Sequence, residues 1–257
     1  MPGMRLGHLL VTATALAAGS LVASPTTATS YAAPAPRERP AVIEKVVIGH
    51  SVKGRPIVAW HLGEPRGKRV LLVATMHGDE GRPRQILNAL RDGRRIHDLN
   101  LWVVPVYNPD GLARGTRKNA RGVDLNRNFP YHWADLDGSY ESGSRAGSEP
   151  ETRAMMRFLR KLRPTRILSF HQPLHGVDTD TKRPSYSRHV ARELGLPLKS
   201  FTCGGVCHGT MTGWFNRRFD GAAVTVEYGA RPSRTQMRTR APRQVLRIFG
   251  GTRITPR

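Results

Sequence analysis

Three apolar runs, each stopping on a chemically active side chain, constrain this fold most. "RVLLVATM" begins at Arg69 and runs into His77, "RILSF" begins at Arg166 and runs into His171, and "AAVTV" begins at Ala222 and runs into Glu227. Runs of this length and composition read as buried strands, and periodicity alone would place another Val or Ile at each end. The carboxyl edge of an open α/β sheet is where ligands bind, so three polar residues delivered to that edge mark one candidate site.

The intervening segments supply helices. A helical stretch is expected from about Glu80 to Arg91, followed by the strand "LNLWVVPVYN", which gives the strand, helix, strand order of an α/β protein. Upstream, "AVIEKVVIGHSVKGRPIVAWHLG" holds two β-rich runs around Lys53 and Gly54 and reads as a hairpin. Downstream, "SEPETRAMMRFLRKL" reads as a helix that Ser148 and Glu151 start as a capping box and that ends before Pro164. "SYSRHVARELG", "GTMTGWFNRRF" and "RQVLRIFG" read as further helices around an α/β sandwich. Between Asn108 and Gly147 periodicity disappears, and a loop that long in a compact domain is usually functional.

Composition bounds the class of protein. A chain of 257 residues that is 39% hydrophobic and 7% aromatic can bury one substantial core and is not disordered. Its start, short and basic to Arg5 and then charge-free through "LGHLLVTATALAAGSLVA", is a secretory signal pattern, with a retained membrane anchor as the alternative. A cut near Ala32 makes residues 1–32 the signal, 33–41 a flexible Pro-rich linker and 42–257 the folded domain. The expected location is secreted or wall-associated, with no membrane span after cleavage. Cys203 and Cys207 fit a disulfide in an oxidising compartment better than a zinc pair, since only His208 is adjacent. The formal charge of +22 comes without an arginine-rich arm or stacking aromatics, so a polyanion such as a cell wall, or an acidic substrate, is expected rather than a specific nucleic acid.

A catalytic zinc commonly takes two imidazoles and a carboxylate and leaves its fourth position to water. His77, Glu80 and His171 supply that set, with Gly78 permitting a sharp bend and the next helical turn returning Glu80 to His77. Water activated there needs a base, for which Glu227 is the candidate. Taken alone, a His-x-x-Glu pair equally fits a partly buried imidazole beside a helix-start carboxylate.

The motifs "MHGDE", "VYNPDG", "TRKNARGVDLNRNFP", "GSEPET", "SFHQP" and "VEYG", in that order, resemble the M14 zinc carboxypeptidase family. The resemblance is strongest to its bacterial branch of murein peptide amidases and γ-D-glutamyl-diaminopimelate peptidases. It implies a three-layer α/β/α sandwich with a mixed central sheet, and one Zn2+ per chain on His77, Glu80 and His171. It further implies Glu227 as general base and then acid, Arg117 stabilising the oxyanion, Asn126 and Arg127 holding the substrate's terminal carboxylate, and Asp124 orienting a metal imidazole.

Arg114 and Arg121 flank Arg117 and could exchange roles with it, while His175 is a weaker ligand candidate because Pro173 disfavours a helix. His132 and His208 are cleft or surface residues on this reading, and His97 and His189 ordinary solvated ones. Digestive members of the family carry a mobile tyrosine about twenty residues before the glutamate, where this chain reads "CGGVCHGTMTGW". Thr212 falls where those enzymes set side-chain selectivity and suggests a pocket neither strongly apolar nor acidic. The implied activity is hydrolysis of a C-terminal amide bond in a peptide with a free carboxylate, such as the γ-D-glutamyl-diaminopimelate bond of murein. A deacylase of N-acylated amino acids and a non-catalytic wall-binding module are the alternatives.

Overall fold

The apolar runs assemble into a mixed eight-stranded sheet in the computed structural model, which describes residues 40–201, 203 and 205–253. All of these lie in the unit Glu38–Arg257. The expected signal, and the linker up to residue 39, fall outside the described residues.

The strands are β1 (Val42–His50), β2 (Pro56–Gly63), β3 (Arg69–Ala74), β4 (Asn100–Val104), β5 (Arg166–His171), β6 (Leu174–Asp178), β7 (Leu198–Lys199) and β8 (Ala222–Gly229), in the spatial order β1-β2-β4-β3-β5-β8-β6-β7. The central run β4-β3-β5-β8 is parallel, while β1, β2 and β6 introduce antiparallel pairs. The helices are α1 (Arg84–Arg91), α2 (Pro109–Arg114), α3 (Pro150–Leu162), α4 (Pro184–Leu194), α5 (Met211–Arg218) and α6 (Ala241–Phe249), the last entered through a wider helical turn, Gln236–Arg240.

Because successive side chains point to opposite faces of a strand, the central strands feed two cores. On one face Val70 and Leu72 of β3, Leu168 and Phe170 of β5, and Val224, Val226 and Tyr228 of β8 pack with Ile86 and Leu87 of α1, Val190 of α4 and Val245 of α6. On the other, Leu71, Val73, Ile167 and Ala223 pack with Met155, Phe158 and Leu159 of α3 and with Trp214 and Phe215 of α5. These are the three layers.

Several local expectations are corrected. The capping box at α3 does not form: Glu149 is its N-cap, without a side-chain capping bond. Ser148 Oγ instead donates to Glu149 Oε1 at 2.9 Å, and Glu151 accepts from the Val52 N–H at 3.0 Å and from Asn119. Tertiary donors outcompete the local cap. The first helix begins at Arg84 rather than near Glu80. Within the long aperiodic segment, α2 is started by Asn108, whose side chain accepts from the Gly111 N–H at 2.8 Å, and is ended by Gly115 in the left-handed conformation. Strands β6 and β7 are too short and too polar to stand out in the sequence.

Candidate active site

Facing residues decide where the chemistry lies. Ser169 and His171 of β5 share the face of Ile167, and Thr225 and Glu227 of β8 share the face of Ala223, so the second face is apolar near the start of these strands and polar from their middle onwards. In the parallel register Ser169 is paired with Thr225 and His171 with Glu227. The candidate ligand and the candidate base are therefore neighbours across two hydrogen-bonded strands.

His77 arrives differently. β3 stops at Ala74, and the bend is made by Thr75, whose φ of 56° is left-handed and whose hydroxyl donates to the Pro105 carbonyl at 3.1 Å. Gly78 is needed for close approach: a Cβ there would come within 1.9 Å of the Gly111 backbone in α2. Glu80 returns to His77 through a turn closed by its own N–H on the His77 carbonyl at 3.2 Å, not through a helical turn as the spacing suggested.

The result is a compact group. Glu80 lies between the two imidazoles, its Oε1 2.7 Å from His77 Nδ1 and its Oε2 2.9 Å from His171 Nδ1. One donor atom from each of the three residues lies within 4.8 Å of the others, and all three residues are buried. Each ring's outer nitrogen is anchored, His77 Nε2 at 3.1 Å from Asp124 and His171 Nε2 at 2.9 Å from Ser169 Oγ. Two imidazoles fixed through their far nitrogens, with a carboxylate between them, form a donor set that fits zinc.

Charge is concentrated here. Burial opposes protonation of His77, but Asp124 and Glu80 raise it to about 9. Burial likewise opposes ionisation of Glu80, which the two imidazoles nevertheless lower to about 2. Glu227 is pushed above the ordinary carboxylate range by burial and by the charge of Glu80, against the imidazoles and the Leu174 N–H, which its Oε2 accepts at 3.3 Å.

Asp124 is a hub. Its Oδ1 meets His77 and accepts from the Asn126 N–H at 2.8 Å, while its Oδ2 takes both Nε and Nη2 of Arg117 at 2.9 and 2.7 Å. The remaining Arg117 nitrogen, Nη1, is 3.6 Å from Glu80. Arg127 is buried, donates to the Asn126 carbonyl at 2.8 Å and lies against Cys203. Asn126 accepts from the Met211 N–H at 3.0 Å, which ties it to the start of α5.

His77, Glu80, Arg117, Asn126, Arg127, His171, Thr212 and Glu227 open on one cleft of about 520 Å³, with Asp124 buried behind it. Cys203 and Cys207 form a disulfide on its rim, which consumes both sulfurs and leaves neither for a metal. Arg114 and Arg121 bind elsewhere, to the Asn119 carbonyl and to Glu149, and His175 is exposed and apart from the ligand group. His132 borders an adjacent hollow, and His208 binds its carbonyl at 2.7 Å.

Several cleft residues escaped the sequence reading, Tyr140 and Asp178 among them. Tyr140 lies under both guanidiniums, 5.5 Å from Arg117 and 4.9 Å from Arg127, and comes from the aperiodic segment. Asp178, at the end of β6, brings a buried carboxylate into a pocket that Thr212 alone suggested was not acidic. Neither sits in a periodic run, so only the pairing of distant segments reveals them.

The chain belongs to the zinc carboxypeptidase family, peptidase M14, whose model matches residues 29–178. That makes it a metallopeptidase with zinc as its cofactor, and the matched span takes in His77, Glu80, Arg117, Asp124, Asn126, Arg127 and His171 but stops short of Glu227. Among its relatives is murein peptide amidase A of Escherichia coli K12, 33% identical over 168 residues, which are 58% of this chain and 67% of that protein. The crystal structure of a murein-tripeptide amidase from Escherichia coli O157 superimposes with a TM-score of 0.66 at 26% identity, covering 83% of this chain and 93% of that one. A carboxypeptidase A from Helicoverpa armigera shares the fold, with a TM-score of 0.68 at 19% identity over 82% of this chain and 68% of that one. Among the described residues no helix is long and apolar enough to cross a membrane.

Proposed function

We propose that the protein is an exported zinc carboxypeptidase of murein-derived peptides, cleaving the bond between a γ-D-glutamyl residue and a C-terminal diaminopimelate. The observation that carries this reading is one cleft lined by the three-donor group, by Glu227 beside it and by the Asn126–Arg127 pair. Bound zinc supplies Lewis acidity, drawing electrons from a scissile carbonyl and making water acidic enough to attack near neutral pH.

The protein's own groups do the rest. Arg127 and Asn126 hold the substrate's terminal carboxylate, and a guanidinium matches that planar acceptor. This fixes the last amide bond beside Glu227. Glu227 takes a proton from the attacking water as the C–O bond forms and returns it to the leaving nitrogen as the C–N bond breaks. Burial raises the affinity of Glu227 for that proton, which suits a group that must both accept and release it. Arg117, held by Asp124, presents Nη1 to the carbonyl oxygen as negative charge develops there. Asp124 fixes the His77 ring through Nε2.

Murein peptides as substrates are supported by the similarity to murein amidases, and wall polyanions as partners by the C-terminal stretch after Glu227, which carries arginines and no aspartate or glutamate. Incubation with L-alanyl-γ-D-glutamyl-diaminopimelate, ordinary peptides and N-acyl amino acids, with products weighed by mass spectrometry, tests the reading. Release of diaminopimelate is expected. Turnover confined to N-acyl amino acids, or salt-sensitive murein binding with no hydrolysis, overturns it.

A further inference from the structure

Beyond Glu227 the cleft runs into a chamber whose charges the hydrolytic steps leave unused. β6 runs antiparallel to β8, with Gly176 opposite Glu227 and Val177 opposite Val226, so Asp178 follows alongside Thr225 on the cleft face. Asp178 is only 8% exposed. Its Oδ1 accepts from the Asp180 N–H at 3.0 Å, yet no lysine, arginine or histidine among the described residues forms an ion pair with it. Its electrostatic neighbours, Asp180 and Glu227, are both acidic. A buried carboxylate without a counter-charge is unfavourable in the empty protein, and a cation entering the cleft removes that penalty.

Lys199 of β7 is the strand neighbour of Asp178 and also lines the cleft. Its stem lies over Gly176, where an added Cβ would come within 3.0–3.1 Å of Cβ, Cγ and Cδ of the lysine. The glycine thus makes room for the stem, and Nζ is held on the Leu174 carbonyl at 2.9 Å. Between these charges and the ligand group, the Thr212 and Thr225 hydroxyls face each other at 3.4 Å. The chamber thus holds a buried negative charge and a positive one nearer solvent.

We infer that Asp178 and Lys199 are specificity-determining residues: Asp178 binds an ammonium on the side chain of the residue released, and Lys199 binds a carboxylate carried by that same side chain. A side chain ending in an amino-acid head group, as in diaminopimelate, meets both. The inference rests on the proposed carboxypeptidase reading, because the side chain enters this chamber only when Asn126 and Arg127 hold the main-chain carboxylate.

Three peptides identical except for a C-terminal diaminopimelate, lysine or norleucine test it, with kcat/KM compared as ratios within each protein. In the wild type, lysine is expected to exceed norleucine by at least about 30-fold, the lower range for removing one partner of a buried charge pair, and diaminopimelate to exceed lysine. Asp178→Asn collapses the lysine-to-norleucine ratio towards one, and Lys199→Met collapses the diaminopimelate-to-lysine ratio. Calorimetric binding of free diaminopimelate to the zinc-loaded protein follows the same order without any turnover. Equal cleavage of all three peptides by the wild type, or variants that slow every peptide alike and keep the ratios, overturns the inference and leaves the carboxypeptidase reading intact. Failure to cleave any of the three removes both.

Discussion

The two faces of β5 and β8 are built from alternate residues of the same strands, yet they meet different fates. On the face covered by α1, α4 and α6, β8 contributes Ala222, Val224, Val226 and Tyr228, apolar or aromatic from end to end. On the opposite face the residues are Ala223, Thr225 and Glu227, and the matching positions of β5 are Ile167, Ser169 and His171. Burial on the first face releases water from apolar surface and stabilises the fold. Burial at the carboxyl end of the second desolvates His171 and Glu227, which prefer to be charged, so there it opposes stability while preparing a reactive site. The first face is core along its whole length, whereas the second is core where Ile167 and Ala223 meet α3 and α5 and opens on the cleft at its carboxyl end.

Substitutions on the two faces should therefore fail in different ways. The largest effect is expected for His171→Ala, which removes a zinc donor: zinc content measured by elemental analysis falls together with turnover, and undiminished zinc would reassign the ligand. Glu227→Gln should keep its zinc but lose turnover on the order of 10²–10⁴-fold, because the donors remain and the base does not. Asp124→Ala should weaken zinc affinity by roughly 10–100-fold in a competition titration with a chelator, since His77 loses its outer anchor.

On the structural face the readout changes. Leu168→Ala should lower unfolding stability by about 2–5 kcal/mol in urea titrations of the folded protein, while zinc content per folded molecule stays unchanged. Zinc loss at that site would blur the division between faces.

The smallest effect is a pH dependence at Asp178. Burial first, and the charges of Asp180 and Glu227 with it, raise this carboxyl to about 6, against the N–H groups of Asp180 and Phe201. A raised acid favours its neutral form in the fold, so its contribution is fully present below the unfolded value of about 3.9 and is lost as pH rises through about 6. Asp178→Asn should thus melt a few degrees above wild type at pH 8 and level with it at pH 4, by calorimetry. A variant that melts lower at both pH values would move Asp178 to the structural face.

Much of this was legible in the chain. The strand runs ending at His77, His171 and Glu227 are readable because long apolar segments have few alternatives to burial, and the hairpin around Gly54 because turn chemistry is local. What failed was local logic overridden from afar. Ser148 and Glu151 suit a cap, yet Asn128, Val52 and Asn119 claim their polar atoms. Tyr140 and Asp178 carry no periodic signal, because their role lies in which distant groups they face.

By itself, then, the order of residues determined which segments are buried strands, that polar groups of zinc-binding type end them, and which motifs relate the chain to a family. Only the tertiary structure decided that β5 and β8 lie side by side in a register pairing His171 with Glu227, and that residues 91 positions apart, Glu80 and His171, come within 2.9 Å. The reason is physical: hydrophobic burial depends mainly on what a segment is made of, whereas an ion site or a charge-matched pocket depends on angstrom-scale distances between segments that the chain order leaves open.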